Sequence, residues 1–305
     1  MKSAISKKNA AKASLGCLTV DTQKGRLKTS VANFQTTSFI NTQSGRYSLP
    51  SYLKNIPNNF THNTMKKIIL LPILFISLAA HAEFSEIQDP DGYSNLREKP
   101  NAQSRILIKI PNGTHVYTPE MDGKLHLEHG WQMTYDLRGK KSLDGWVHTS
   151  RLIPLSRYES IPVTATADGF TCQKNGMGVR IKSERFNYKK EKHLFTHDQY
   201  GLSHYRGKEM FGTDGTIPFS HYREIAFFRN GKTQIAPRAQ YDHLFDPYFE
   251  KAGDNTQLSH CYYRAKDDTL FLTTVIGDGA AYTEVLFVFR QGILKNVLAS
   301  LHPEV

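Results

Sequence analysis

The chain has 305 residues, 39% hydrophobic and 22% charged, which is enough for two domains with real cores. Its formal net charge of +11 is unevenly placed: residues 1–64 hold nine Lys and Arg against Asp21 alone, Lys66 and Lys67 add two, and the rest balances 28 basic against 27 acidic side chains. A balanced region has no surplus cations to neutralise a run of phosphates, so nucleic acid is excluded as the expected partner.

The first two segments are leaders. Residues 1–64 are rich in Ser, Thr, Asn, Gln and Lys and show little periodicity, a composition expected to stay disordered. They read either as a basic, hydroxylated transit peptide or, as we favour, as the product of a start codon assigned too early, with translation beginning at Met65. Residues 65–82, MKKIILLPILFISLAAHA, have the three parts of a secretory signal peptide: two lysines, an apolar run from Ile68 to Ala80, and small residues at Ala80 and Ala82. As a helix the run spans only about 20 Å, short for a stable membrane crossing. Cleavage after Ala82 is expected, with an uncleaved anchor as the alternative. This segment is the one expected membrane contact, and it points to a periplasmic or secreted protein.

The next segment, 83–155, reads as short strands separated by turns. Asp89-Pro90-Asp91-Gly92 is a turn cluster, and Tyr93 to Arg97 an extended piece. Ile106 to Ile110 is strand-like, Pro111-Asn112-Gly113 turns, and Thr114 to Tyr117 runs back. Gly130 to Tyr135 and Asp144 to His148 follow as further strands. Five or so strands in about 70 residues predict a small barrel. Its core would come from Leu96, Ile106, Ile108, Ile110, Val116, Trp131, Trp146, Val147 and Leu152.

Three pieces of this segment stand in a recognisable order: Gly92-x-x-Asn95-Leu96-Arg97-x-x-Pro100, Pro111-Asn112-Gly113-Thr114-x-Val116, and Gly145-Trp146-Val147-His148-x-x-x-Leu152. Together they resemble the bacterial Src-homology-3 domain, over about 70 of the 223 residues that follow Ala82. The resemblance implies a small barrel carried by exported proteins, an attachment module that binds cell-wall peptides or other proteins and performs no chemistry. The stretch from Pro119 to His129 departs from the family as an insertion at a variable loop. A ligand face would use aromatics that so small a barrel leaves open, and Tyr93, Tyr117, Trp131, Tyr135 and Trp146 are the candidates. The two tryptophans also read as plain core.

Residues 156–305 continue the β pattern as a second all-β domain, an antiparallel sandwich or barrel. Ile161 to Ala167 reads as its opening strand and Val179 to Ser183 as another. Arg229-Asn230-Gly231 marks a hairpin, Arg238 to Phe245 is the best helical segment, and three strands close the chain as a meander. Cys172 and Cys261 remain after Cys17 is set aside with the leader. An even pair in an exported chain is a candidate disulfide, two buried free thiols being the alternative. Phe211-Gly212-Thr213-Asp214-Gly215-x-x-Pro218 resembles segments of uncharacterised exported bacterial proteins and implies no activity.

Chemistry is sparse. His193, His197 and His204 with Asp198 and Asp214 could be arranged as metal ligands, but the i,i+4 pair His193 and His197 lies in a turn-rich stretch that does not read as a helix, there is no HExxH-type pairing, and no phosphate loop or nucleophile elbow is present. We expect no catalytic residue, no metal and no cofactor. The fold class expected is all-β, and the function that of an exported adaptor binding a cell-wall peptide or envelope protein. The alternatives are a wall-targeted hydrolase with an unrecognised catalytic domain and an inhibitor or immunity-like protein.

Overall fold

The computed structural model describes residues 83–121, 124–139, 141–249 and 258–300. The leader and the signal segment lie outside the described residues. The protein is all-β. In chain order the first half comprises β1 (Glu83–Ile87), β2 (Tyr93–Arg97), β3 (Ile106–Pro111), β4 (His115–Thr118), β5 (Glu120–Met121), β6 (Lys124–Leu125), β7 (Leu127–Glu128), β8 (Trp131–Asp136), β9 (Leu143–His148) and β10 (Leu152–Pro154). Their main sheet is antiparallel in the order β10-β1-β4-β8-β9-β2-β3, with β7 paired to β8.

Alternation along β2 turns Ser94 and Leu96 inward and leaves Tyr93, Asn95 and Arg97 on the other face. One core gathers Ile87, Leu96, Ile110, Val116, Val147 and Leu152. Ile110 and Leu152 come from strands at opposite ends of the sheet order, so the sheet curls around a single barrel-like core. Gly145 allows the wrap, because a Cβ there would stand 2.7 Å from the Arg97 carbonyl oxygen and 2.9 Å from Leu96 Cγ. Three expected core residues stay outside it: Ile106 is 44% exposed at the sheet edge, Trp131 is half-buried, and Trp146 is buried but not part of this cluster. Within 119–129 the described residues form the β5–β6 pair and β7.

The second half adds β11 (Glu159–Ile161), β12 (Val163–Thr166), β13 (Gly169–Lys174), β14 (Met177–Arg185), β15 (Phe195–Asp198), β16 (Gly201–Tyr205), β17 (Lys208–Glu209), β18 (Ser220–Arg229), β19 (Lys232–Ile235), β20 (Pro247–Tyr248), β21 (His260–Arg264), β22 (Thr269–Ile276), β23 (Thr283–Arg290) and β24 (Ile293–Ala299). Two antiparallel sheets, β12-β13-β14-β18-β19 and β11-β21-β22-β23-β24, share one core that includes Phe170, Ile181, Ile225, Leu272, Val285 and Phe287. This is the sandwich arrangement. Cys172 on β13 and Cys261 on β21 form a disulfide, with Cα atoms 6.3 Å apart. It ties one sheet to the other through their common core.

Strands β22 and β23 are buried at nearly every position because both their faces are covered. Leu270, Leu272, Val285 and Phe287 point into the sandwich. Phe271, Leu286 and Val288 point the other way and pack against Phe84, Tyr117 and Leu155 of the first half. Around this apolar seam, Tyr117 Oη donates to Glu284 Oε1 at 3.2 Å. The Arg264 guanidinium lies 5.2 Å from the ring centres of both Tyr158 and Phe271 and pairs with Glu86 of β1. Both halves belong to one unit, Ile73–Val305.

Two sequence expectations change. Ile161 to Ala167 is split between the two sheets, because Pro162 has no N–H for a ladder and the chain steps across there. The segment from Arg238 to Phe245 is not a helix: a 3₁₀ turn at Arg238–Gln240 hands over to turns that bury Tyr241, Leu244 and Phe245 in two different clusters. A single helical face would not serve both. The α-helical turn is instead α1 (Tyr188–Glu191), capped by Asn187. Among the described residues no helix is long and apolar enough to cross a membrane.

His243 lies beyond that 3₁₀ turn. Burial, aided by the nearby Lys208 ammonium and opposed by Asp242, pushes its pKa down to about 4. The folded chain therefore refuses a proton that the unfolded chain accepts from about pH 6.5 downward. Its contribution is fully present above that value and is lost as pH falls toward 4. His243→Gln is expected to flatten the fall in melting temperature across this window.

Candidate functional site

The first half holds a cleft of about 320 Å³ whose lining includes Asp91, Asn95, Arg97, Trp131, His148 and Arg151. Register explains the convergence. Trp131 and His148 are direct partners across the β8–β9 pair, and Arg97 on β2 pairs with Trp146 beside them on β9. The Trp131 and His148 rings meet edge-on, with centroids 5.3 Å apart. The Arg97 guanidinium lies 5.9 Å from the Trp131 ring centre, held by a 2.7 Å bond from Nη1 to the Ser104 carbonyl.

The floor is fixed by the turn cluster at the end of β1. Asp89 is buried; it caps the Asp91 amide at 3.1 Å and pairs with Arg151 Nε at 3.2 Å. Asn112 brackets the same turn, accepting from the Asp89 amide and donating to its carbonyl. His148 and Ser150 form a local cap, with Nδ1 2.8 Å from Ser150 Oγ and 3.4 Å from the Ser150 amide. The cleft thus presents an aromatic wall and both signs of charge. The Asn95 Oδ1 atom is buried without a hydrogen-bond partner, which costs about 1–3 kcal/mol.

The five aromatics proposed from sequence do not share one face. Trp131 lines the cleft. Tyr93 is half-buried and accepts from Lys109 Nζ at 3.0 Å. Trp146 is only 7% exposed, with the His126 ring 5.0 Å away. Tyr117 is fully buried in the seam, and Tyr135 packs beside it at 6.4 Å. Tyr117 therefore offers no surface to a ligand, because the sandwich occupies that side of the sheet. Asn95 and Arg97 also line the cleft, although Arg97 makes its local bond to the Ser104 carbonyl.

The histidines lie apart from this site. His193 is in a 3₁₀ turn, His197 on β15 and His204 on β16, all exposed. Asp198 caps the Tyr200 amide at 2.7 Å. Among the described residues no group of three or more His, Cys, Asp and Glu is arranged to hold a metal ion. In comparisons with known proteins, no family model, no curated protein and no solved structure matches the chain.

Proposed function

We propose that the chain is an exported binding protein of the bacterial cell envelope, and that the cleft beside Trp131 holds an extended peptide of the cell wall or of an envelope protein. The observation that carries this reading is the convergence on one cleft of residues from the motif-bearing pieces, Asn95 and Arg97 from one and His148 from another, around a half-buried tryptophan. A peptide supplies what the cleft lacks. Its carbonyls or terminal carboxylate suit Arg97, and its side chains suit the indole face. The buried disulfide and the signal-like segment 65–82 support export, since disulfides persist in oxidising compartments.

Co-sedimentation with purified peptidoglycan sacculi tests this reading. The chain is expected to sediment with sacculi, and Trp131→Ala to weaken binding about tenfold, the effect of losing an aromatic anchor. Asn95→Ala, which removes no buried apolar contact, is expected to weaken it less. Retention in the supernatant, or equal sedimentation of the Trp131→Ala protein, would overturn the reading.

A further inference from the structure

A second concavity lies in the other half of the molecule, at the loop that joins β17 to β18. Large apolar side chains are seldom left open in groups, and a cluster of them marks a contact surface. Here Phe219 is 69% exposed and Tyr248 51%, and both line one cleft of about 320 Å³. Ile217, 58% exposed, stands between two residues that line it. Tyr200, 81% exposed, adjoins the same loop, where the Leu202 amide donates to the Gly215 carbonyl at 2.9 Å.

The loop is held open by its own bonds. Asp246 is its anchor: one carboxylate oxygen accepts from the Phe219 amide at 2.9 Å, the Ser220 amide at 2.6 Å and the Ser220 hydroxyl at 3.2 Å. Gly212 has φ +87°, and a Cβ there would stand 2.1 Å from the Phe245 carbonyl oxygen, so no larger residue fits. The shape of the cleft thus does not depend on an occupant.

Its charge says what would cover it. Asp214, Asp246 and Asp278 all line the cleft, and no Lys, Arg or His does. Asp246 is committed to the loop, but neither the Asp214 nor the Asp278 carboxylate has a hydrogen-bond or ion-pair partner among the described residues, and the Asp278 side chain makes no cap bond to the 3₁₀ turn it precedes. Two unpaired carboxylates beside two open aromatic rings match a cation on an aliphatic stem. The protein itself shows the preference, since the Arg185 guanidinium already lies 5.4 Å from the Phe219 ring centre.

We propose that this cleft is a docking site for a basic segment of a polypeptide partner, with a Lys or Arg side chain entering between Phe219 and Tyr248 toward Asp214 and Asp278. The site is separate from the cleft beside Trp131, so one chain presents two binding surfaces and bridges two components.

The test is an NMR titration of the chain with acetyl-Lys-Leu-Lys-amide, with its Nε-acetylated version and with the neutral sugar chitotriose. The lysine peptide is expected to give saturable shifts confined to residues 212–220, 246–248 and 277–281. Asp214→Asn with Asp278→Asn should weaken its binding about tenfold, because two partly desolvated ion pairs are lost. The acetylated peptide and the sugar should give no comparable shifts. Both positions are exposed, and the thermal melt of the double variant should match the parent. Binding unchanged by the double substitution, equal binding of the acetylated peptide or the sugar, or shifts located elsewhere would overturn the proposal. Trp131→Ala should leave this titration unaltered, so failure here and failure of the envelope reading are separate results.

Discussion

Replacing Cys172 and Cys261 together by alanine is expected to cost about 4–5 kcal/mol, the loop-entropy value for a closure of this length. The two cysteines are separated by 89 residues in sequence, and the disulfide joins opposite sheets of the sandwich. Whole domains are stable by only about 5–15 kcal/mol, so this one change moves the molecule to the edge of unfolding. Both sulfurs belong to the core, at 0% and 1% exposure, and alanine also removes packed volume there. Urea denaturation of the oxidised and dithiothreitol-reduced protein reads the effect without mutation. The reduced curve should shift to much lower urea. Superimposable curves would show that the two sheets hold together without the bridge.

The second large effect is expected at the seam between the halves. Arg264 pairs with Glu86 and with Asp267, donates to Tyr158 Oη at 3.1 Å, and lies against the stacked rings of Tyr158 and Phe271. Its side chain is 14% exposed and that of Glu86 13%. Removing Arg264 leaves the largely buried Glu86 carboxylate with His115 alone beside it, at a cost of about 3 kcal/mol. Arg264→Met should therefore destabilise strongly, and the double variant with Glu86→Gln should recover part of the loss, since the abandoned charge is then gone too. A surface pair would cost about 1 kcal/mol or less, and the thermal melt separates the two cases.

The same site gives the acid response a direction. Burial alone would raise the Glu86 carboxyl, but the close approach of His115 and the charge and hydrogen bonding of Arg264 together bring it below its ordinary value of 4.5. His115 Nε2 stands 3.5 Å from Glu86 Oε2, an ion-pair separation without hydrogen-bond alignment. A carboxyl with a lowered folded pKa contributes stability that is complete above its unfolded value and is lost as pH falls through the folded one. Acid loosening from Glu86 thus begins near pH 4.5 and continues below, whereas that from His243 belongs to pH 6.5 down to 4. Glu86→Gln should remove the lower component alone.

The sequence carries the all-β class and most turns openly, because turn chemistry is local. Asn230 and Gly231 adopt φ of 49° and 78° and close the β18–β19 hairpin where Asn-Gly predicts it. The closing meander β22-β23-β24 is equally legible from its apolar runs and Gly-containing turns. What the sequence does not carry is the second face of that sheet. Phe271 and Leu286 look like ordinary core, and Tyr117 and Tyr135 look like aromatics in search of a ligand. Only the fold shows that some of these serve each other, across more than 150 residues of chain. The Trp131 cleft was half legible. Its tryptophan stands out, but the place of Asn95 beside it depends on the pairing of β2, β9 and β8. The cleft of the second half was hidden for a related reason: Asp214 and Asp278 sit in Asp-Gly turns, which need Asp for backbone reasons alone. Their convergence on Phe219 and Tyr248 depends on loops far apart in sequence.

The claim on which the ligand class rests is that the chain works outside the cytoplasm. N-terminal sequencing and intact mass of the native protein, with and without reduction and alkylation, test it most directly. The account predicts a chain beginning at Glu83 whose unreduced mass is lighter by the two hydrogens of one disulfide. A chain that retains residues 1–64, with Cys172 and Cys261 both free to alkylate, would contradict it and remove the envelope from consideration.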